Sequence, residues 1–155
     1  MDLITIAGIC GVIVTLYAIY VEKTANSGKK AMCDMSENAS CSVVLTSPYA
    51  RLMRMCFRLP RNSIFNQPNT YYGLLFYIAV ILYGVYPFTL IPFREYMLMG
   101  ASIMSMSVCV ILAYILYFKL KNFCAVCVVS WIINMVILYS ACYEIWTMNF
   151  NYIIT

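Results

Sequence analysis

Four long apolar stretches, parted by polar ones, organise this chain. Leu3 to Val21 carries no charge and ends at Glu22 and Lys23. Tyr71 to about Phe88 is uncharged and ends near Pro87 and Pro92. Tyr96 to Phe118 stops at Lys119, and Phe123 to Tyr143 stops at Glu144. Each meets or approaches the roughly 20 residues that a helix needs to cross a bilayer core. The pattern predicts an all-α membrane protein, a four-transmembrane-helix bundle. It reads as a single membrane domain over residues 1–155, with spans at about 3–21, 71–88, 96–118 and 123–143 and a cap loop over 22–70. The first stretch could be a signal peptide. Asp2 stands where a basic leader would lie, and no small-x-small cleavage pattern follows, so a retained span is expected.

The cap loop has its own pattern. Residues 24–31 are polar, and Cys33 and Cys41 bracket a short polar turn. Ser47 as N-cap and Pro48 at the first helical position predict a short amphipathic helix. Arg51, Arg54 and Arg58 line one face of it, Leu52, Met53, Cys56 and Phe57 fill the rest, and Pro60 ends it. Such a helix lies in the membrane interface, and the simplest role for its arginines is to meet lipid phosphates. A cap over a bundle encloses an apolar cavity suited to a flat lipophilic ligand arriving from the bilayer. Asn66, Gln67 and Asn69 are candidate polar groups within it, or plain loop caps.

Composition sharpens this picture. Hydrophobic residues make up 64% of the 155 and charged residues 10%, against about 25% charged in ordinary globular chains. No histidine is present, so imidazole base catalysis and histidine metal ligation are excluded. Four spans put both termini on one side with the loop at Arg94 and Glu95. The cap loop and residues 119–122 then share the other side. The signals for the compartment conflict. Lys23, Lys29, Lys30, Arg51, Arg54, Arg58, Arg61, Lys119 and Lys121 outnumber Arg94, which argues for a cytosolic cap. The glycosylation pattern Asn38-Ala39-Ser40 and disulfide chemistry argue for an oxidising lumen.

The eight cysteines carry the candidate chemistry. Cys10, Cys109 and Cys142 fall within spans and read as small packing residues. Cys33, Cys41 and Cys56 lie in the cap, and Cys124-Ala125-Val126-Cys127 opens the fourth span on the same face. A helix start, with Lys119 and Lys121 nearby, is expected to favour thiolate at Cys124. Cys127, one turn deeper, is placed to touch a ligand. Thiol–disulfide exchange between the loop pair and the helix pair needs no metal, histidine or nucleotide cofactor. A zinc site and a static structural disulfide are the competing readings.

Over nearly its whole length the chain resembles the vitamin K epoxide reductase family, in an animal-type single-domain form. The likeness rests on LYAIYV closing the first span, Cys33 in AMCD, Cys41 in SCS, and Ser47. It continues through NSIFNQPNTYYG, AYILYFKLKNFCAVC and Asn134. The resemblance implies a multi-pass endoplasmic reticulum membrane protein with a lumenal cap. It implies two-electron reduction of vitamin K epoxide to quinone and of quinone to hydroquinone, with those quinones as substrate. It implies that Cys127 engages the ring, that Cys124 is its disulfide partner, and that Cys41 attacks Cys124. Cys33 then takes electrons from a lumenal thioredoxin-like thiol oxidoreductase. Asn69 would hydrogen-bond a quinone carbonyl, and Phe76, Tyr77, Leu112 and Leu120 would wall the pocket. Trp131 departs from the family's tyrosine four residues after the second CxxC cysteine. That change implies weaker binding of coumarin-type inhibitors. Leu45 and Tyr49 also replace aromatic cap positions. Membrane lipid and a monomer are expected, and no nucleic acid. The alternatives are quinone-driven oxidation of partner thiols, a metal carrier, and a non-catalytic four-span scaffold with structural disulfides.

Overall fold

Along the middle of the first apolar stretch, from Ala7 to Ala18, the inward side chains are small and most of the outward ones large. In α1 (Leu3–Asn26), Ala7, Gly8, Gly11, Thr15 and Ala18 are buried. Ile6, Ile9, Ile13, Leu16, Tyr17 and Tyr20 are exposed. A helix in water does the reverse. Lipid offers helices no hydrophobic reason to associate, so small residues that let backbones approach provide the packing instead. Gly11 is such a place. A methyl group there would overlap the ring of Tyr77 on α4 (Asn69–Tyr83), and one at Gly8 would come within 2.9 Å of Ile81.

The structure, a computed structural model, describes residues 3–29, 34, 40–58, 60, 66–85, 90 and 92–154, without the side chains of 53, 56, 57 and 151–154. The described residues form helices and no strands: α1, α2 (Cys41–Thr46), α3 (Leu52–Phe57), α4, α5 (Arg94–Ile115) and α6 (Ala125–Ile154). A 3-10 turn covers Pro48–Ala50, and a π turn, Leu116–Leu120, extends α5. Among the described residues, three helices are long and apolar enough to cross a membrane: Leu3–Asn26, Arg94–Leu120 and Ala125–Phe150. The segment expected as the second span forms α4, of 15 residues. That is about 22 Å of helix, short of a bilayer core of about 30 Å. Residues 86–88 of that expected span lie outside the described set.

The other spans are longer than expected. Glu144 does not end the last helix: its carboxylate accepts a hydrogen bond from the Tyr83 hydroxyl, and α6 runs on to Ile154. Arg94 completes that end of the bundle. Its guanidinium lies 4.7 Å from the Tyr83 ring centre, donates to the Tyr83 carbonyl at 3.2 Å and pairs with Glu95 at 3.0 Å. Helix α1 packs on α4 and α6, α5 packs on α6, and α2 sits against α1. The core has two parts. Ile4, Tyr77, Val80, Leu98, Ile133 and Ile137 fill one, while Ala18, Val21, Cys41, Leu45, Leu116, Cys124 and Val126 fill the other.

The cap differs from the single helix expected after Ser47. The chain instead breaks at Arg51, where φ −118° and ψ 62° are not helical, and α3 closes at Arg58 in the left-handed region. Ser47 makes no side-chain N-cap bond. Its hydroxyl turns back to the Val44 carbonyl at 2.7 Å and closes α2 instead. Helix α2 itself, unforeseen, starts from Ser40, whose Oγ accepts the Val43 N–H at 3.3 Å.

Candidate active site

Polar side chains fasten the start of α2 to the turn between α5 and α6. The Ser40 N–H donates to Asn122 Oδ1 at 2.9 Å. Ser40 Oγ donates to Asp34 at 2.7 Å, and the same carboxylate accepts the Ser42 N–H at 3.0 Å and the Ser42 hydroxyl at 2.6 Å. Each end of this bond lies just ahead of a cysteine: Ser40 directly before Cys41, and Asn122 two residues before Cys124. The bond therefore sets one cysteine against the other. Cys41 and Cys124 are 1% and 0% exposed. The Cys124 thiol hydrogen-bonds with both Cys127 and Cys41, and all three are free thiols. Cys127 is half-buried and, like Leu120 and Trp131, packs against the buried cluster that holds Cys41 and Cys124.

This setting reverses the expected acidity of Cys124. The hydrogen bond with Cys127, which burial reinforces, pushes its pKa up to about 12, and the bond from Cys41 offsets only part of that. Lys119 and Lys121 are exposed rather than turned onto the thiol. Charge near in sequence is not charge near in space. A thiol held protonated is a poor leaving group, so exchange is better aimed at the Cys124 sulfur, expelling its partner. In the reduced protein, alkylation of Cys124 is expected to climb about tenfold per pH unit between roughly pH 7 and pH 10. Peptide mapping by mass spectrometry reads this, and a plateau below about pH 8 contradicts it.

The remaining expected site residues divide. Leu120 and Trp131 adjoin the thiol cluster. Phe76 and Tyr77, their rings 5.4 Å apart, belong to the other half of the core. Leu112 is half-buried on α5. Asn69 opens α4, and its Oδ1 accepts the Leu52 N–H at 3.3 Å, joining α4 to α3. Its buried Nδ2 has no partner among the described residues. Cys33 lies outside the described residues, as does Asn38. A cleft of about 610 Å³ between α5 and α6 is lined by Trp131, Leu116, Phe118, Lys121, Asn122 and Phe123, among others, but by none of Asn69, Phe76 or Tyr77.

Two features escaped sequence reading. Asn122 stood inside the KNFCAVC run, yet nothing in its spacing told of a bond to Ser40, 82 residues earlier. Cys109, expected only to pack, takes a hydrogen bond from Asn134 Nδ2 at 3.3 Å. Asn134 is the centre of a buried network that also includes Tyr77 and Ser105.

Comparison with known proteins gives a consistent result. The family model described as "Vitamin K epoxide reductase family" matches residues 3–142. The vitamin K epoxide reductase complex subunit 1 of Mus musculus is 32% identical over 130 residues, covering 82% of this chain and 79% of that protein. Its counterpart from Rattus norvegicus is 32% identical over 129 residues, covering 81% and 78%.

Proposed function

Since this chain belongs to the vitamin K epoxide reductase family, we propose that it is a membrane oxidoreductase that reduces vitamin K epoxide and vitamin K quinone with thiol electrons. The observation that carries this reading is the Cys124 thiol hydrogen-bonded with both Cys41 and Cys127 inside a buried apolar cluster. One sulfur with two thiol neighbours can be disulfide-bonded to either, which is what a relay needs.

The dithiol of Cys124 and Cys127 gives two electrons and two protons to the quinone, leaving hydroquinone and a 124–127 disulfide. With the epoxide, the same transfer yields quinone and water. The Cys41 thiolate attacks the Cys124 sulfur and expels Cys127 as thiolate. Cys33 then attacks Cys41, frees Cys124, and leaves a 33–41 disulfide for a thioredoxin-like dithiol to reduce. Cys127, at the open edge of the cluster, meets the ring. The unpartnered Asn69 Nδ2 offers a donor to a carbonyl oxygen, since a buried amide left unsatisfied costs free energy that a ligand can recover. Phe76, Tyr77, Leu112, Leu120 and Trp131 wall the ring. The apolar stretch that α4 opens is the second of four membrane crossings. The cysteine face is lumenal in the endoplasmic reticulum membrane, and the protein works as a monomer.

The direct test is trapping. Mild oxidation of Cys127→Ala is expected to join positions 41 and 124 in a disulfide that mass spectrometry maps, and its absence sinks the relay. Trp131 supplies an indole N–H where a tyrosine hydroxyl would both donate and accept. Trp131→Tyr is expected to tighten a coumarin-type inhibitor by about tenfold, the worth of one hydrogen bond. Unchanged inhibition curves would remove Trp131 from the pocket.

A further inference from the structure

Where α1 leaves its apolar stretch it meets the cap, and a second cleft opens there. It measures about 670 Å³, and its lining includes Glu22, Leu45, Arg51, Arg54, Met55 and Arg58. Among the described residues, three guanidinium groups therefore share one cleft with a single carboxylate. That carboxylate is already engaged: Glu22 accepts the Thr70 hydroxyl at 3.3 Å and is drawn to Arg51. Arg54 and Arg58 make no hydrogen bond or ion pair with any described residue. Two fixed positive charges with unused donors thus face a cavity large enough for a small molecule.

The depth of the cleft says what fills it. Glu22 follows Val21, the last residue of the uninterrupted apolar run, so the cleft sits at the level of lipid headgroups. Leu45 and Met55 give it an apolar side, and the arginines give it a cationic one. We infer that this cleft is a specific site for an anionic phospholipid, its phosphate held by Arg54 and Arg58 and its glycerol end against Leu45 and Met55. Arginine suits this role because its planar fork bonds phosphate oxygens in pairs. Diffuse attraction of basic residues to a membrane needs no cleft and no apolar wall; this site has both. Occupancy ties α3 and α2 to the end of α1, and α2 begins at Cys41. The lipid thereby acts as a clamp on the segment that presents Cys41 to Cys124.

The test uses the full protein in neutral detergent and does not depend on turnover. Phosphatidylserine or phosphatidylcholine is added, the thermal midpoint is followed, and bound lipid is counted by native mass spectrometry. Phosphatidylserine is expected to raise the midpoint and to leave one retained molecule. The double variant Arg54→Gln with Arg58→Gln is expected to weaken retention by about 30-fold, from the worth of two cations at a membrane surface. Lys23→Gln with Lys29→Gln, an equal charge change at exposed positions outside the cleft, is expected to leave retention as it was. If the glutamine variant does not fold, Arg54→Lys with Arg58→Lys keeps the charge, loses the paired fork, and is expected to weaken retention. Equal retention of phosphatidylcholine overturns the site, as does a lysine variant that binds as well as the parent. A full shift from inorganic phosphate alone would make it a soluble-anion site and overturn the lipid assignment. Unchanged retention together with lost turnover from a protein dithiol, but not from a small one, would make it a protein-docking face and also overturn it.

Discussion

Cys127→Ala is expected to abolish reduction of both quinone and epoxide, lowering turnover at least about 10³-fold, as removal of a residue acting in a chemical unit does. Cys124→Ala should do the same. Cys41→Ala and Cys33→Ala are expected to keep activity when a small membrane-permeant dithiol is supplied and to lose it with a protein dithiol. The split follows from position. Cys127 is half-buried at the edge of its cluster, where a ring and a small thiol can reach it. Cys124 is fully buried between Cys127 and Cys41, so a protein reaches it only through Cys41. A small dithiol bypasses that detour. The measurement is quinone and epoxide turnover in detergent with each reductant, with thermal midpoints taken in parallel. A scaffold with structural disulfides predicts the opposite outcome: midpoints that move and no turnover to lose. Equal loss in all four variants with the small dithiol would end the relay as drawn.

How much of this could be read from the chain differs from element to element. The first, third and fourth apolar stretches were legible because uninterrupted apolar runs have few other solutions. Their ends were not. Glu144 looked like a stop, but a carboxylate that finds the Tyr83 hydroxyl can stay inside a helix. Lys119 looked like another, yet the helical path turns only at Lys121, with φ 47°. The cap was misread for a local reason. Ser47-Pro48 has the chemistry of a helix start, but the Ser47 hydroxyl found a nearer acceptor in the Val44 carbonyl. For the site, spacing alone paired Cys124 with Cys127. The contact with Cys41 depends on Asn122, Ser40 and Asp34, a tertiary arrangement with no periodic trace. The acidity of Cys124 went wrong for the same reason, because the nearest groups in space are two thiols rather than two lysines.

Asn134→Ala is expected to cost about 2–4 kcal/mol of stability, a large effect for one polar residue in a membrane bundle. Its Nδ2 donates among the Tyr77 hydroxyl at 3.0 Å, the Ser130 carbonyl at 2.9 Å and Cys109 Sγ at 3.3 Å. Its Oδ1 accepts the Ser105 hydroxyl at 2.8 Å. One amide thus joins α4, α5 and α6 at a point that is 5% exposed. A single hydrogen bond between membrane helices averages only about 0.6 kcal/mol. Three such bonds would give about 2 kcal/mol if nothing else changed. The alanine also takes the acceptor from the Ser105 hydroxyl and one of two partners from the Tyr77 hydroxyl, which keeps Ser130, and a buried group left short of a partner adds about 1–3 kcal/mol. Tyr77 is 2% exposed and its ring is pressed against Gly11, so the hydroxyl stays in place with Ser130 as its remaining partner. That immobility decides for the larger figure. Tyr77→Phe removes the Asn134–Tyr77 bond in advance, so the double variant should be less unstable than the sum of the singles. Unfolding in mixed micelles measures all three, and strict additivity would show that Asn134 and Tyr77 do not act together. A network that fixes Tyr77 also fixes the α4 wall beside Phe76. The same variant is therefore expected to raise KM for the quinone at temperatures where it remains folded, while Ser105→Ala, which leaves the bond to Tyr77 intact, is not.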